Sequence, residues 1–272
     1  MKGFYSVNEF AKLSGIEAST LRYWDSIGLF SPVMRDPENN YRYYSLAQIT
    51  ALNFVATCRD IGMPLETIAE LRKKRDPERF LKLLERKERD IDMELHMLQE
   101  RSSIIHAKQV FIRYGLDIDE NEITVVRRED SWSAVLWPRN EYGEGDTFLE
   151  PLTLFVNQAD KHRINLGFPI GGRYDDMDTF VKNPGRPNYF FSLDPTGANT
   201  RKPGEYMVGF IRGYYGELGD LPARMVRYAA ENGLRATGPV YLTYPHDEAC
   251  YDEPDNYLGQ VMVAVKKSRR SV

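Results

Sequence analysis

Cysteine and histidine are scarce in this chain of 272 residues, which contains two cysteines and four histidines. Cys58 and Cys250 lie far apart and lack metal-ligand spacing, so we interpret them as reduced thiols. The histidines form no cluster in the sequence, and no nucleophile-elbow pattern occurs. We therefore expect neither an enzyme nor a bound cofactor.

Long apolar runs are also missing. No stretch approaches the roughly 20 apolar residues that a membrane span needs, and the first residues, MKGFYSVNEF, do not resemble a signal peptide. With 42% hydrophobic and 28% charged residues, the composition is that of an ordinary globular protein. These features predict a cytoplasmic protein without a membrane partner.

Negative charge is concentrated in the second half of the chain. Residues 1–75 have a net charge of +2, residues 76–113 of zero and residues 114–272 of −6. Only the N-terminal part is therefore suited to approach a phosphate backbone.

Residues 1–75 read as short helices separated by turns. Ser6 and Glu9 form a capping box, and Ser45 with Gln48 forms a second one. Gly15 and Gly28 mark the ends of the first two helices. Ala11, Gly15 and Leu21 occupy positions that let two helices pack closely around a turn, which indicates a helix–turn–helix.

The second helix of this pair has the small and polar groups that a recognition helix needs in the major groove of DNA. A second cluster of Tyr and Arg follows a turn rich in Pro and Asn, where it would contact phosphates. The alternative for these tyrosines is packing against the helices. The predicted DNA-binding residues are Ala18, Ser19, Thr20, Arg22, Tyr23, Trp24, Asn40, Tyr41, Arg42, Tyr43, Tyr44 and Arg59.

A single long helix is predicted over residues 76–115. Its apolar seam repeats every seven residues, which favours a coiled coil between two chains, either parallel or antiparallel. The predicted dimer residues are Leu84, Ile91, Leu98, Ile105 and Ile112.

The third region, residues 120–272, changes to strand periodicity. Its elements repeat in the order strand, helix, strand, strand, so we expect a duplicated βαββ domain. Two such halves would form a mostly antiparallel sheet with helices on one face. Strands are predicted at 123–126, 132–137, 189–193, 206–211, 240–244 and 257–265, and helices at 146–161 and 220–233.

Four segments of residues 1–75 together resemble the DNA-binding domain of the MerR family of transcription regulators: SVNEFAKLSGI, TLRYWDSIGLF, NYRYY and IGMPLETI. The resemblance implies a winged helix–turn–helix, with residues 41–44 in the wing and an antiparallel dimer through the long helix. It also implies that the dimer binds an over-spaced promoter, distorts it when an effector binds, and so acts with RNA polymerase.

The third region resembles the GyrI-like effector domain of multidrug-sensing members of that family, through Gly238–Tyr241 and Asp255–Tyr257. Where such members carry buried glutamates, this chain has Leu242 and Gln260. The effector is therefore neutral, or its charge is met by Glu141 or Glu144. The predicted ligand-binding residues are Trp137, Glu141, Tyr142, Glu144, Phe148, Tyr174, Tyr214, Tyr241, Leu242, Tyr244 and Tyr257.

The same sequence excludes one function of this family and leaves two alternatives open. Metal sensing in this family requires ligands near the end of the long helix, and residues 107–125 contain neither Cys nor His. The first hypothesis is a dimeric, ligand-responsive transcription activator. A small hydrolase-like third region and a ligand-independent DNA binder are the alternatives.

Overall fold

The structure, a computed structural model, describes residues 3–268 and divides the chain into two compact units, one ending at Gln99 and the other beginning at Glu100. Residues 1–2 of the predicted DNA-binding domain and residues 269–272 of the predicted effector domain lie outside the described residues. Each unit has its own apolar core.

The first unit consists of short helices and a three-stranded antiparallel sheet in the order β1-β3-β2. A 3₁₀ turn, Leu46–Gln48, precedes α3 where the sequence predicts the start of a helix. The elements are β1 (Phe4–Ser6), α1 (Val7–Ser14), α2 (Ala18–Ser26), β2 (Met34–Arg35), β3 (Arg42–Ser45), α3 (Ile49–Asp60), α4 (Leu65–Lys73) and the beginning of α5 (Pro77–Gly115).

The capping residues predicted for the first helix are found at its two ends. The Ser6 amide donates to a Glu9 carboxylate oxygen at 2.8 Å, and the Glu9 amide donates back to the Ser6 hydroxyl at 3.4 Å. Gly15 ends α1 in the left-handed conformation, with φ of 72°, where a residue without a Cβ is favoured. The capping box sets where α1 begins and Gly15 sets where it ends, and together they fix where the chain turns toward α2.

Helix α5 is 39 residues long, or roughly 58 Å at 1.5 Å per residue. All residues from 88 to 103 are exposed, including Ile91 and Leu98 of the predicted seam. Helices in proteins gain most of their stability from packing an apolar face. This stretch of α5 therefore has an apolar face that the single chain leaves uncovered.

The second unit contains an eight-stranded antiparallel sheet in the order β4-β9-β11-β10-β6-β7-β5-β8. Its elements are β4 (Ile123–Arg128), β5 (Trp132–Leu136), α6 (Leu149–Gln158), β6 (Ile170–Tyr174), α7 (Met177–Lys182), β7 (Tyr189–Ser192), β8 (Asn199–Arg201), β9 (Gly204–Arg212), α8 (Leu221–Glu231), β10 (Leu234–His246) and β11 (Leu258–Lys267).

The order of the central strands confirms the predicted duplication. Each half runs strand, helix, strand, strand, as β5-α6-β6-β7 and as β9-α8-β10-β11. In each half the last strand, β7 or β11, lies between the other two, and the halves meet where β10 pairs with β6. Gly171 of β6 allows this pairing, because a methyl group there would overlap the Leu242 carbonyl oxygen and lie 2.6 Å from the Phe191 ring. The sheet is thus continuous across the duplication.

Strand β10 contains a bulge around Gly238, where the register against β11 shifts between Ala236 and Val240. Ala236 pairs with Val265 and Val240 with Val263, so β10 has two more residues than β11 in this segment. Gly238 has a φ of 78°, which accommodates the extra residues without breaking the strand.

The sheet has two apolar faces. We call the face packed by α6 and α8 the inner face; its buried residues include Phe190, Leu242 and Val263. The opposite side, here called the outer face, has a smaller cluster around Tyr206, Phe210 and Met262. Alternation along β9 and β11 places successive side chains on these two faces.

Candidate nucleic-acid interface and effector pocket

The exposed side of α2 holds the residues predicted to enter the DNA groove. Ser19, Arg22 and Tyr23 are exposed, and Ala18 and Thr20 are half-buried. A terminal nitrogen of Arg22 donates to the Asn8 side-chain oxygen at 3.3 Å, which holds the guanidinium beside α1. These side chains combine a cation, a hydroxyl and a phenol on one helix face, as groove recognition requires.

A buried carboxylate connects α2 to the strands that follow it. The side chain of Asp25 is only 2% exposed, and its Oδ2 accepts from Arg35 Nη2 at 2.5 Å and from Arg42 Nε at 2.6 Å. Charge-assisted bonds of this kind are the strong ones in proteins. We call β2, β3 and the turn between them the wing, and Asp25 ties both of its strands to the predicted recognition helix.

The wing turn is built from its own side chains. The Asp36 carboxylate accepts from the Glu38 amide at 2.9 Å, and the Asn39 side-chain oxygen accepts from the Tyr41 amide at 3.0 Å. Asn40 has a φ of 58°, a conformation that Asn tolerates better than most residues. Tyr41, 65% exposed, is therefore presented at the tip of the wing.

The structure corrects two of the predicted DNA contacts. Trp24 and Tyr44 are buried in the core, where the Tyr44 ring stacks on Phe10 at 4.8 Å between centroids. Their apolar rings gain more from this packing than from contact with a sugar or phosphate. Neither side chain belongs to the surface that DNA could touch.

The remaining predicted residues lie near this surface. Tyr43 is half-buried in β3, and Arg59 lies over the Trp24 ring at 5.4 Å while it pairs with Asp60 at 2.7 Å. Both terminal nitrogens of Arg42 lack a partner within residues 3–268, since only its Nε binds Asp25. Arg22 and Arg42 therefore keep donors available for phosphate oxygens.

The second unit has a pocket where β10 ends, which we call the aromatic pocket. Four rings form its inner wall, those of Phe148, Phe190, Tyr215 and Tyr244. The last turns of α5 form the opposite wall, and Leu152 of α6 lines it as well. Its volume is only about 70 Å³, whereas sites for drug-sized ligands measure about 300–1,000 Å³. The pocket is therefore closed in this conformation.

Opposite charges flank the aromatic pocket. Lys108 and Asp247 both line it, and the Tyr215 hydroxyl donates to the Glu248 carboxylate. Burial, followed by the Glu248 hydrogen bond, raises the pKa of Tyr215 well above its usual value. Tyr215 consequently stays protonated and remains a donor at any physiological pH.

The end of α5 is fastened to the sheet beside this pocket. The buried His246 binds the Ile112 carbonyl oxygen at 2.9 Å through Nε2. Because a carbonyl only accepts, this nitrogen carries the proton. A Cβ on Gly115 would lie 2.7 Å from the same ring nitrogen, so the glycine permits the close approach.

The predicted ligand residues separate into several groups. Phe148 and Tyr244 line the aromatic pocket, whereas Tyr241 lines a different cavity on the outer face. Tyr214 and Tyr257 pack beside Tyr215, with centroid distances of 5.3 Å and 5.5 Å from its ring. The structure thus brings together about half of the predicted aromatic residues.

Other predicted ligand residues lie outside the pocket for identifiable reasons. Leu242 and Tyr174 have no exposed surface, because both point into the core of the inner face. The Tyr142 hydroxyl donates to the Pro187 carbonyl at 2.8 Å, and Trp137 packs edge-on against Phe155 at 5.8 Å.

The two predicted acidic residues, Glu141 and Glu144, are exposed in the loop before α6 and do not line the aromatic pocket. The acidic group at the pocket is Asp247 instead. Sequence reasoning missed it together with Phe190, Tyr215, Lys108 and Phe111, which share no linear motif. The one sequence signal that could have located this pocket is the acidic pair Asp247 and Glu248, which directly follows β10.

The predicted dimer seam is mostly open. Ile91, Leu98, Ile105 and Ile112 are 38–58% exposed, whereas Leu84 packs against the core of the first unit. No cluster of three or more His, Cys, Asp or Glu side chains within residues 3–268 could hold a metal ion. Among the described helices, none combines the length and apolar character of a membrane span.

Replacing Asp25 by Asn should destabilise the first unit, because two arginines lose their buried anionic partner. We expect a loss of about 1–3 kcal/mol in the free energy of unfolding, measured by urea denaturation. Asp60→Asn is the matched control, since its ion pair with Arg59 is exposed and such pairs contribute at most about 1 kcal/mol. Equal, small losses for both variants would contradict the role of Asp25.

Comparison with known proteins agrees with this geometry. The family model described as MerR HTH family regulatory protein matches residues 5–74. The Multidrug-efflux transporter 2 regulator of Bacillus subtilis (strain 168) is 26% identical over 277 residues, which cover 98% of each chain. The Multidrug-efflux transporter 1 regulator of the same organism is 28% identical over 173 residues, covering 58% of this chain and 60% of the relative.

A solved structure with a similar chain is the cryo-EM structure of an EcmrR–DNA complex. It is 15% identical, covers 97% of this chain and 100% of its own, and superposes with a TM-score of 0.39. A TM-score this low does not support a comparison of individual sites. Residues 5–74, with their helix–turn–helix and wing, thus form a MerR-type DNA-binding domain, and the chain over its full length resembles a multidrug-efflux transporter regulator.

Proposed function

We propose that this protein is a dimeric transcription activator that binds promoter DNA through α2 and the wing and responds to a small aromatic effector in its second unit. One observation carries the proposal: the exposed face of α2 stands beside a wing that Asp25 holds in place, within the residues that match the MerR family. The exposed seam of α5 concerns how the activator forms a dimer, and the aromatic pocket concerns how an effector changes its activity.

DNA binding is proposed to rest on few cations. Arg35, Arg42 and Arg59 each pair with a carboxylate, which reduces the positive field at the surface. Arg22 hydrogen-bonds the neutral Asn8 and forms no ion pair within residues 3–268, so it keeps its full charge. The arginines therefore act through directed hydrogen bonds to phosphate oxygens rather than through a broad basic patch.

Dimerisation is proposed to cover the exposed seam of α5. In an antiparallel pair of helices, the end of one helix lies beside the beginning of its partner. An apolar groove of about 630 Å³ lies at that beginning, lined by residues that include Phe54, Leu71 and Phe80. A partner helix would bury both the groove and the half-exposed seam.

The effector is proposed to enter the aromatic pocket by parting its walls. The closed volume of about 70 Å³ requires the end of α5 or the rings opposite it to move. Since Lys108 and Asp247 oppose each other in sign, the pocket suits a neutral planar aromatic compound. Movement of α5 would change the dimer, and with it the promoter distortion that RNA polymerase requires, at a cost of several kcal/mol in bent DNA.

Arg22→Ala and Arg42→Ala should each weaken DNA binding by about 1 kcal/mol or more and reduce its dependence on salt, because each variant loses a phosphate contact. Binding is measured by fluorescence anisotropy on duplexes that the purified protein selects from a random library. Arg127→Ala, an exposed arginine of β4, is the control and should leave the affinity unchanged. Wild-type affinity and salt dependence in both test variants would refute the assigned surface.

Leu98→Asp should convert the protein to monomers, because a charge is placed on the seam that the partner helix covers. Sedimentation velocity measures the change in mass. Met93→Asp is the matched control: Met93 is similarly exposed but lies two residues from Ile91, on the opposite side of α5. A dimer that tolerates Leu98→Asp, or dissociates equally with Met93→Asp, would contradict the proposed interface.

Leu152→Trp should fill the aromatic pocket and abolish stabilisation by effectors. A thermal-shift screen of neutral aromatic compounds identifies ligands that raise the melting temperature of the wild type. Leu154→Trp, on the same helix but 54% exposed, should leave that shift intact, and both variants should still bind DNA. Effectors that act equally on Leu152→Trp would exclude this pocket, and an empty screen would favour a ligand-independent DNA binder.

A further inference from the structure

The outer face of the sheet contains a second cavity, separate from the aromatic pocket. We call it the outer-face cavity; it has a volume of about 330 Å³ and is several times larger than the closed aromatic pocket. Its lining comes from strands β5 to β11 and the turn between β8 and β9, and includes Trp132, Arg173, Phe191, Lys202, Tyr206 and Tyr241. This volume falls within the range of small-molecule sites.

Aromatic rings form one wall of the outer-face cavity. The Trp132 ring stacks on Phe191 with 5.6 Å between centroids and an angle of 22°. Tyr241 meets the edge of Trp132 at 5.0 Å and of Phe191 at 6.1 Å. Rings fixed in this way offer a flat apolar surface against which a planar ligand can stack.

The charges at this cavity are all positive. Arg173 and Lys202 line it, no carboxylate does, and neither cation forms an ion pair within residues 3–268. Arg173 lies over the Tyr189 ring at 5.0 Å. Burial raises the pKa of Tyr241, so its hydroxyl also remains a donor.

A third cation lies behind the aromatic wall. Arg201 is 2% exposed and lies 5.6 Å from the centroid of Trp132 and 5.0 Å from that of Tyr206. Its Nη2 binds Asp130 at 3.0 Å, but its Nε and Nη1 have no hydrogen-bond partner among the described residues, 3–268. An arginine that served only to fill space would be expected to satisfy these donors, because leaving them unpaired costs stability.

We propose that the outer-face cavity binds a planar aromatic anion, such as an aromatic carboxylate, independently of the effector in the aromatic pocket. The ring would stack on Trp132 and Tyr241, and the carboxylate would accept from Arg173 and Lys202. The excess of positive charge in the outer-face cavity disfavours cationic ligands. The opposed charges of the aromatic pocket do not discriminate in this way. The chain would thus have two ligand sites of different chemistry on opposite faces of one sheet.

The test compares 2-naphthoate with 2-naphthylmethylammonium, which share a ring system and differ in charge. Isothermal titration calorimetry on the full-length protein should show at least tenfold tighter binding of the naphthoate. Lys202→Gln and Arg173→Gln should each weaken naphthoate binding several-fold, and together at least tenfold. Lys266→Gln, an exposed lysine of β11 outside the cavity, should have no effect.

Leu152→Trp separates the two sites, since it fills the aromatic pocket and should leave naphthoate binding unchanged. Lys202 is exposed, so its variant is expected to fold normally, and circular dichroism verifies this. The proposal is overturned if the wild type fails to bind naphthoate at millimolar concentration, if both probes bind equally, if the Gln variants bind as the wild type does, or if Leu152→Trp abolishes binding.

Discussion

The proposed DNA-binding surface depends on the buried carboxylate of Asp25. By accepting from Arg35 and Arg42 through one oxygen, it holds both strands of the wing against α2. Removal of either arginine would leave the buried carboxylate with only one cationic partner, so the three residues are coupled. The same contact sets the direction of Arg42, whose terminal nitrogens have no hydrogen-bond partner within residues 3–268. Local capping at Ser6 and Gly15 sets where α1 begins and ends.

The second unit uses one duplicated sheet for two different surfaces. On the inner face, α6 and the end of α5 contribute to a small aromatic pocket, and the bond between His246 and the Ile112 carbonyl fastens the end of α5 there. On the outer face, a larger cavity combines stacked rings with unpaired cations. Because β6, β7 and β10 contribute residues to both cavities, ligands on either face would contact the same strands.

Local features of the sequence predicted much of this architecture. The capping box at Ser6 and the positions of Ala11, Gly15 and Leu21 predicted the helix–turn–helix, and the repeated element order predicted the sheet. The fate of individual aromatic residues could not be predicted, since Trp24 and Tyr44 stand beside arginines in the sequence yet pack into the core. Tyr214 and Tyr215 are neighbours, but only Tyr215 lines the aromatic pocket. The pairing of Asp25 with arginines 10 and 17 residues away is likewise a consequence of the tertiary fold.

The most direct test of the account is a double-mutant cycle between Asp25 and Arg42, read out as the free energy of binding to a selected DNA duplex. If Asp25 positions Arg42 for its phosphate contact, the Asp25→Asn and Arg42→Ala variants will couple by about 0.5 kcal/mol or more. The double variant should then bind about as weakly as Arg42→Ala alone. Strictly additive losses would show that the carboxylate and the arginine act independently, and would contradict a wing that is oriented through Asp25.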